Sequence, residues 1–223
     1  MKALRKRVMK QFVLAAVLIP MILFAMAGTL NYWQGWLYWM VLVIPMLVAV
    51  CYLLRADPEL LERRMKSHEK EREQQIIVRL GSIVWVAGFT VTAIDLRVHG
   101  LNLVPTSVTL AADMGVFLGY ILALWVFKEN TFASRTVEVV EGQKVITTGT
   151  YSIVRHPMYL GAIIMFLFTP IALGSWWAIP VFALNIPVLI WRILNEEKVL
   201  LRDLPGYREY LQKTRYRLLP LIW

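Results

Sequence analysis

The amino-acid sequence predicts an all-α integral membrane protein with about six transmembrane helices. Hydrophobic residues make up 58% of the 223 residues and charged residues only 17%, whereas a typical soluble domain has about 25% charged residues. The apolar residues are gathered in runs of nearly the length that crosses a bilayer as a helix, about 20 residues. The third observation concerns the basic residues. If successive runs cross the membrane in alternating directions, 23 of the 24 basic residues fall on one face of the membrane.

The predicted spans are Phe12–Leu30, Trp36–Leu54, Ile76–Leu96, Val108–Phe127, Met158–Leu173 and Trp176–Trp191. The first two contain no charged residue, so neither carries the cost of a charge inside the membrane. Only Gly174 and Ser175 separate the last two, and this short connection predicts an antiparallel helical hairpin.

The N-terminus is basic and then apolar, like a signal peptide. Its long apolar run and the lack of a small-residue cleavage site favour a retained span.

Lysine and arginine predict the orientation of these spans. Five precede the first span, six lie between the second and third, Arg79 stands at the start of the third, four lie between the fourth and fifth, and seven follow Trp191. Only Arg97 falls on the other side, so the positive-inside rule places the basic side and both termini in the cytoplasm. We assign the net charge of +9 to orientation and to anionic headgroups, and we expect no nucleic-acid partner.

A charged segment connects the second and third spans on the basic side. Asp57 followed by Pro58 predicts the start of a helix, with the Asp side chain as its cap. Leu60, Leu61 and Met65 give this helix one apolar edge. We therefore expect it to lie along the membrane surface.

Several isolated polar residues are expected to have no chemical role. His68 has no second His or Cys nearby and is predicted to be solvated, and Cys51 in the second span is predicted to be a buried, inert thiol. Asp95 and Asp113 lie near the outer ends of their spans, where carboxylates can reach water. The sequence contains no dinucleotide-binding, phosphate-loop or metal-ligand motif, so we expect no metal.

A first group of polar residues surrounds the start of the fifth span. Pro157 fits the first turn of a helix, where its missing N–H has no cost. His156 would then lie at the helix entrance, near backbone N–H groups that have no partner in the helix. Tyr159 follows on the same face, and Gly161 leaves a smooth patch that another group can approach.

A second group lies at the end of the sixth span. Arg192 and Glu196 are four residues apart and share a helix face, and Glu197 lies about 100° further round. Because the hairpin brings the inner ends of the last two spans together, both residues should converge with His156 and Tyr159. Spacing alone leaves two interpretations open, a ligand site or an ion-pair cluster at headgroup level that orients the hairpin.

Three stretches resemble the isoprenylcysteine carboxyl methyltransferase family, which has many bacterial members and is related to membrane phospholipid N-methyltransferases. They are GTYSIVRHPMYLG at 149–161, RILNEE at 192–197 and LPGYREYLQKTRYRLLP at 204–220. The resemblance covers Asn130 to the C-terminus. It implies a methyltransferase that uses S-adenosylmethionine without a Rossmann fold, in a cytoplasm-facing pocket of a multi-pass protein of the bacterial inner membrane.

The resemblance also implies roles for individual residues. The implied cofactor-binding residues are Gln143, Lys144, Val145, Ile146, Tyr151, His156, Pro157, Met158, Tyr159, Glu196 and Glu197, and the implied catalytic residues are Arg192 and Arg155. Glu196 would pair with the ammonium group of the cofactor, and Arg192 would hold an anionic acceptor. Gln143 stands where relatives that act on prenylated cysteine often have His.

The sequence thus predicts two regions. Residues 1–128 form a four-span membrane region with the charged segment 55–79, and residues 129–223 form a catalytic region with a loop, the last hairpin and a C-terminal interfacial helix. That last helix either covers the pocket or only anchors the chain at the membrane.

The predicted activity is methyl transfer from S-adenosylmethionine to a lipid-like or prenyl-type acceptor at a carboxylate. The expected partners are membrane lipids and the lipophilic acceptor. A membrane reductase with a nicotinamide cofactor and a non-enzymatic assembly or transport protein are the two alternatives.

Overall fold

The computed structural model describes residues 2–66, 68–101 and 103–223, and within these ranges it contains helices and no strand. The helices are α1 (Lys2–Ala27), α2 (Trp33–Ala56), α3 (Pro58–Arg64), α4 (Arg72–His99), α5 (Thr106–Glu129), α6 (Pro157–Ala172), α7 (Ile179–Ala183), α8 (Asn185–Asp203) and α9 (Tyr207–Lys213), with a 3-10 turn at Gly149–Ser152. The predicted all-α membrane class is confirmed.

Within the described residues, five helical segments are long and apolar enough to cross a membrane. They are α1, α2, α4, α5 and the continuous segment Ile179–Asp203 that contains α7 and α8. The helix α6 is also apolar but has only 16 residues, which extend about 24 Å, whereas the hydrocarbon core is about 30 Å thick. The described residues therefore contain five helical segments of spanning length and one shorter apolar helix, where the sequence predicted six spans.

The connection between the last two predicted spans is longer than the two residues expected. After α6 the chain turns at Gly174, which has a φ of +81°, and α7 begins only at Ile179. Ser175 holds this turn, because its hydroxyl donates to Asp95 over 2.5 Å and accepts from the Ala178 N–H over 3.2 Å. The two helices then pack on different neighbours, α6 mainly on α5 and α8 mainly on α4.

Helices α5 and α6 approach each other more closely than any side chain would allow. A Cβ atom on Gly119 would lie 2.7 Å from the Gly161 carbonyl oxygen, and one on Gly161 would lie 2.7 Å from the Gly119 carbonyl oxygen. The predicted smooth patch at Gly161 is confirmed, and the group that approaches it is the backbone of α5. The predicted division at residue 128 stays a prediction, and these two helices pack tightly across it.

The helix α3 begins as predicted, and its apolar edge packs against other helices of the protein. Its cap is confirmed, because the Asp57 carboxylate accepts the Leu60 N–H over 2.9 Å. Leu60 and Leu61, however, are buried against α1, α2 and α5, where Val126 is one of their neighbours. The predicted apolar edge thus contacts the protein itself, and Ser67, further along the charged segment, lies outside the described residues.

The two acidic residues near the opposite end of the bundle do not reach water as expected. Asp95 and Asp113 are each only 3% exposed. The Asp95 carboxylate accepts a hydrogen bond from the Ser175 hydroxyl and lies 2.8 Å from the Nδ1 atom of His99. The prediction is wrong because helix packing, which a single helix does not show, turns both carboxylates into the bundle.

The predictions for the two isolated residues have different outcomes. His68 is exposed, as predicted. Cys51 is also exposed, on the outer surface of α2, although a buried thiol was expected. A transmembrane helix has an apolar surface all round, so hydropathy does not show which face turns away from the bundle.

Candidate functional site

A cavity lies at the end of the bundle where the long connection between α5 and α6 folds over the start of α6 and the end of α8. We call it the polar cavity. It is lined by Asn130, residues 132–138, residues 143–146, Tyr151, residues 155–159, Arg192, Glu196, Leu200, Leu204, Tyr207 and Tyr210. Connections as long as 130–156 with almost no regular structure are uncommon in compact domains and are often functional.

The polar cavity has a volume of about 100 Å³, and about 820 Å³ of atom-free space lies between the same walls when the part open to solvent is included. Pockets for small molecules and cofactors measure about 300–1,000 Å³. A cofactor-sized ligand would therefore occupy the open part of the cleft as well as its closed end.

A hydrogen-bonded chain of side chains crosses one wall of the polar cavity. The Tyr159 hydroxyl donates to the Glu196 carboxylate over 2.5 Å and accepts from the Arg192 Nε over 2.9 Å. Arg192 also donates through Nη2 to Glu69 and to the carbonyl of Arg135, both over 2.8 Å. This order, Glu196–Tyr159–Arg192–Glu69, confirms the predicted convergence of the two helix ends and adds an acid from outside them.

Glu197 behaves differently from its neighbour Glu196. Its side chain is 7% exposed, and its oxygens lie 2.9 Å from the Arg155 Nε, 2.9 Å from the Arg217 Nε and 3.3 Å from the His156 Nε2. It does not line the polar cavity. The predicted contact between His156 and backbone N–H groups is absent from the described residues, because this ring lies against Glu197.

The C-terminal segment covers the polar cavity. The Tyr210 hydroxyl donates to the carbonyl of Tyr151 over 2.7 Å, and the Tyr151 hydroxyl accepts from the Asn130 side-chain amide over 2.9 Å. Burial raises the pKa of Tyr151 and Tyr207 and raises that of Tyr210 to about 12. These phenols are neutral at physiological pH, and their position in the wall agrees with the covering role, one of the two roles left open by the sequence.

The backbone of the same segment fixes the entrance of α6. The N–H of Arg155 donates to the carbonyl of Tyr216 and the N–H of His156 to that of Arg217, each over 2.9 Å. The Arg217 guanidinium also donates a hydrogen bond to Glu197. Both the backbone and the side chains therefore hold the C-terminal segment against the Arg-His-Pro motif.

The connection between α3 and α4 fastens the other side of the cavity. Glu69 accepts the N–H of Val137 over 2.9 Å, and Glu138 pairs with Lys66 over 2.9 Å and with Lys70 over 2.7 Å. Hydrogen bonds from these two lysines hold the pKa of Glu138 below its usual value. The loop that lines the cavity is therefore held by residues that precede it by almost 70 positions.

The structure brings nearly all of the predicted site residues to one cavity. Gln143, Lys144, Val145, Ile146, Tyr151, Arg155, His156, Pro157, Met158, Tyr159, Arg192 and Glu196 line it, and Glu197 lies behind its wall. The Gln143 side chain accepts the Val140 N–H over 3.0 Å and so shapes its own turn.

Sequence reasoning missed Glu69 and Asn130. Glu69 lies in a segment rich in both acidic and basic residues, where one more acidic residue does not indicate a functional site. Asn130 gave a weak signal, because it directly follows the predicted fourth span at the start of the long connection.

In the part of the chain that the structure describes, five long apolar helices and a polar cavity at one end of the bundle define a multi-pass membrane protein with a candidate ligand site. Residues 108–204 of the chain match the family model of phospholipid methyltransferases. The match extends from the first turn of α5 through the long connection to the end of α8, and so includes most of the walls of the polar cavity. It confirms the predicted relationship to membrane methyltransferases, and this family indicates methyl transfer to a lipid-like substrate.

Proposed function

We propose that the protein transfers a methyl group from S-adenosylmethionine to a carboxylate of a lipid-like acceptor. The observation that carries this proposal is Glu196, a carboxylate that lines the polar cavity and whose only hydrogen bond among the described residues comes from Tyr159. A carboxylate placed in this way can bind the ammonium group of an amino-acid ligand.

The residues around the cavity fit the other parts of this cofactor. Val145, Leu200, Leu204 and Tyr207 give the cavity an apolar and aromatic side that suits an adenine ring. The backbone of residues 143–146 offers N–H groups for a carboxylate. His156 is already paired with Glu197 and is proposed as a positioning residue.

When bound, S-adenosylmethionine supplies a methyl group on a positively charged sulfonium. Transfer to a carboxylate oxygen forms one C–O bond and breaks one S–C bond, and no proton moves. The site therefore needs no general base, and the protein contributes chiefly by holding the acceptor in line with the methyl group.

Arg192 is placed to orient the site. Three of its five N–H groups are used by Tyr159, Glu69 and the carbonyl of Arg135, and Glu69 neutralises its charge. The Nη1 group remains for an acceptor oxygen, but the ion pair leaves little net attraction for an anion. We propose that Arg192 aligns Tyr159 and Glu196 and supplies at most one hydrogen bond to the acceptor.

Titration of S-adenosylmethionine into purified protein in detergent tests this function. We expect saturable binding that Glu196→Gln weakens by about 10- to 100-fold, since a charge-assisted hydrogen bond is worth about 1.5–3 kcal/mol. Glu209→Gln on the exposed face of α9 is the matched control and should change nothing. Binding that is unchanged in Glu196→Gln would contradict the assigned pocket.

Two parallel measurements separate the alternative functions. A nicotinamide dinucleotide that binds in place of S-adenosylmethionine would favour a reductase. Native membranes incubated with methyl-labelled cofactor should transfer label to extracted lipid, and a non-enzymatic protein would leave the lipid unlabelled.

A further inference from the structure

A second cavity lies beside the polar cavity, and we call it the apolar cavity. It has a volume of about 490 Å³ and lies between α1, α2 and α3 on one side and α5 and α6 on the other. Most of its wall comes from the first 65 residues, which precede the region matched by the family model. Met158 lines both cavities, so a single side chain separates them at this point.

Arg64 is the one cation in the wall of the apolar cavity among the described residues. Its guanidinium stacks on the Phe127 ring at 4.1 Å, donates to the carbonyl of Ala133 over 2.9 Å and lies 3.6 Å from the Met158 sulfur. Within the part of the chain that the structure describes, it makes no ion pair and its Nη2 makes no hydrogen bond. Burial, with a smaller effect of Arg135, lowers the pKa of Arg64 to about 10.

An arginine without an anionic partner in an apolar wall is unfavourable unless something else neutralises it. Two arginines that line the polar cavity have such partners, since Arg155 is paired with Glu197 and Arg192 with Glu69. Arginine also remains charged here, because a pKa of about 10 is well above physiological pH. The wall of the apolar cavity is therefore complementary to a ligand that combines a hydrocarbon chain with an anionic head.

We propose that the apolar cavity binds the hydrocarbon chain of the methyl acceptor and that Arg64 binds its anionic head group, a carboxylate or a phosphate. This inference rests on the proposed function, because it identifies the bound amphiphile with the acceptor. The guanidinium lies against Met158, at the wall shared with the polar cavity, so a head group on Arg64 is held next to the cofactor site. The first two helices thereby acquire a role as the acceptor-binding part of the molecule.

Photocrosslinking with a diazirine-bearing palmitate tests the proposal in purified protein, with the matched alcohol and alkyl phosphate as further probes. We expect the carboxylate probe to label the α2 wall around Met46 and Ala49 and the α5 wall around Tyr120. Arg64→Gln should lower labelling by the anionic probes at least about tenfold. It should leave the alcohol almost unchanged, and Arg64→Lys should restore most of the signal. The relative labelling by carboxylate and phosphate then identifies the preferred head group.

Two neighbouring substitutions provide a steric test. Ala49→Leu fills the cavity and should reduce labelling, whereas Val48→Leu on the exposed face of the same helix should not. Label spread equally over lipid-facing surfaces, or equal labelling by acid and alcohol in the wild type, would overturn the proposal. Melting temperatures of all variants show whether a loss of label reflects unfolding.

Measurement of S-adenosylmethionine binding in the same samples separates this inference from the proposed function. If Arg64→Gln binds the cofactor normally but loses the anionic probe, both hold. If the wild type binds the probe in the cavity but not the cofactor, the proposed function fails and the amphiphile site remains. Cofactor binding and methyl transfer that persist without any labelling of the cavity would contradict the acceptor site alone.

Discussion

The polar and apolar cavities are neighbours but differ in whether their buried arginines have ion-pair partners. In the polar cavity the buried and half-buried arginines are paired within the protein, Arg155 with Glu197 and Arg192 with Glu69. In the apolar cavity the one cation, Arg64, has no ion-pair partner among the described residues. Pairing of the first kind builds the site, and the missing pair in the second indicates where a charged ligand would bind.

The same contrast separates the adjacent acids of the RILNEE motif. Glu197 is surrounded by Arg155, His156 and Arg217, so its charge is used inside the protein. Glu196 lines the cavity and its only hydrogen bond in the described structure is to a neutral phenol. The two residues are both glutamates and are adjacent in the sequence. Their different contacts therefore decide between a structural and a ligand-binding role.

Glu197→Ala should give the largest loss of stability. Removing this carboxylate leaves two arginines without their partner, and breaking a buried ion pair costs about 3–5 kcal/mol. Thermal unfolding in detergent should show a large decrease in melting temperature, whereas Glu196→Gln should unfold near the wild-type temperature. Equal melting temperatures for the two variants would abolish the distinction drawn between them.

Gly119→Ala tests the close packing of α5 against α6. The new Cβ would lie 2.7 Å from the Gly161 carbonyl and 2.6 Å from the Met165 Cγ, and overpacking of this kind typically costs about 1–3 kcal/mol. We expect lower thermal stability together with weaker ligand binding in both cavities.

Gly81→Ala is the control for this helix-packing test. Its added Cβ would meet the nearest atom, the Val188 Cγ1, at an ordinary 3.7 Å. It should be neutral or slightly stabilising because alanine favours helix. If the two alanine variants behave alike, the close contact between α5 and α6 is not the constraint inferred here.

Glu69→Gln tests whether pairing of Arg192 matters for the polar cavity. The amide keeps an acceptor for the Val137 N–H but removes the negative charge from Arg192. We expect kcat of the methyl transfer to decrease about tenfold, which corresponds to about 1.4 kcal/mol of activation free energy. The change in the free energy of unfolding should be smaller. A change in stability without any change in turnover would assign Glu69 to folding alone.

Glu138→Gln should have the smallest effect. Because the lysines lower the folded-state pKa of Glu138, its contribution is complete above its unfolded value of about 4.3 and is lost as the pH falls through the folded-state pKa. Ion pairs with exposed lysines are worth less than about 1 kcal/mol. The stability difference between wild type and variant should therefore be small at pH 7 and vanish at lower pH. A difference that grows on acidification would contradict this assignment.

Hydropathy and charge were sufficient to predict the membrane class and the approximate position of the helices. Proline and aspartate predicted the starts of α3 and α6 because their effects act within one helical turn. The length of α6 and the different packing partners of α6 and α8 were not predictable in this way. They depend on packing against α5 and α4 and on the turn that Ser175 fixes to Asp95.

The site divides along the same line. The sequence by itself determined which polar residues stand at the ends of the last helices, because the apolar runs leave few other places for charge. Only the tertiary structure decided that Glu196 faces a cavity, that Glu197 is neutralised behind its wall, and that Glu69 and Arg64 join from a distant segment. Whether a charge is paired depends on atoms brought together by folding, and spacing along one helix carries no information about them.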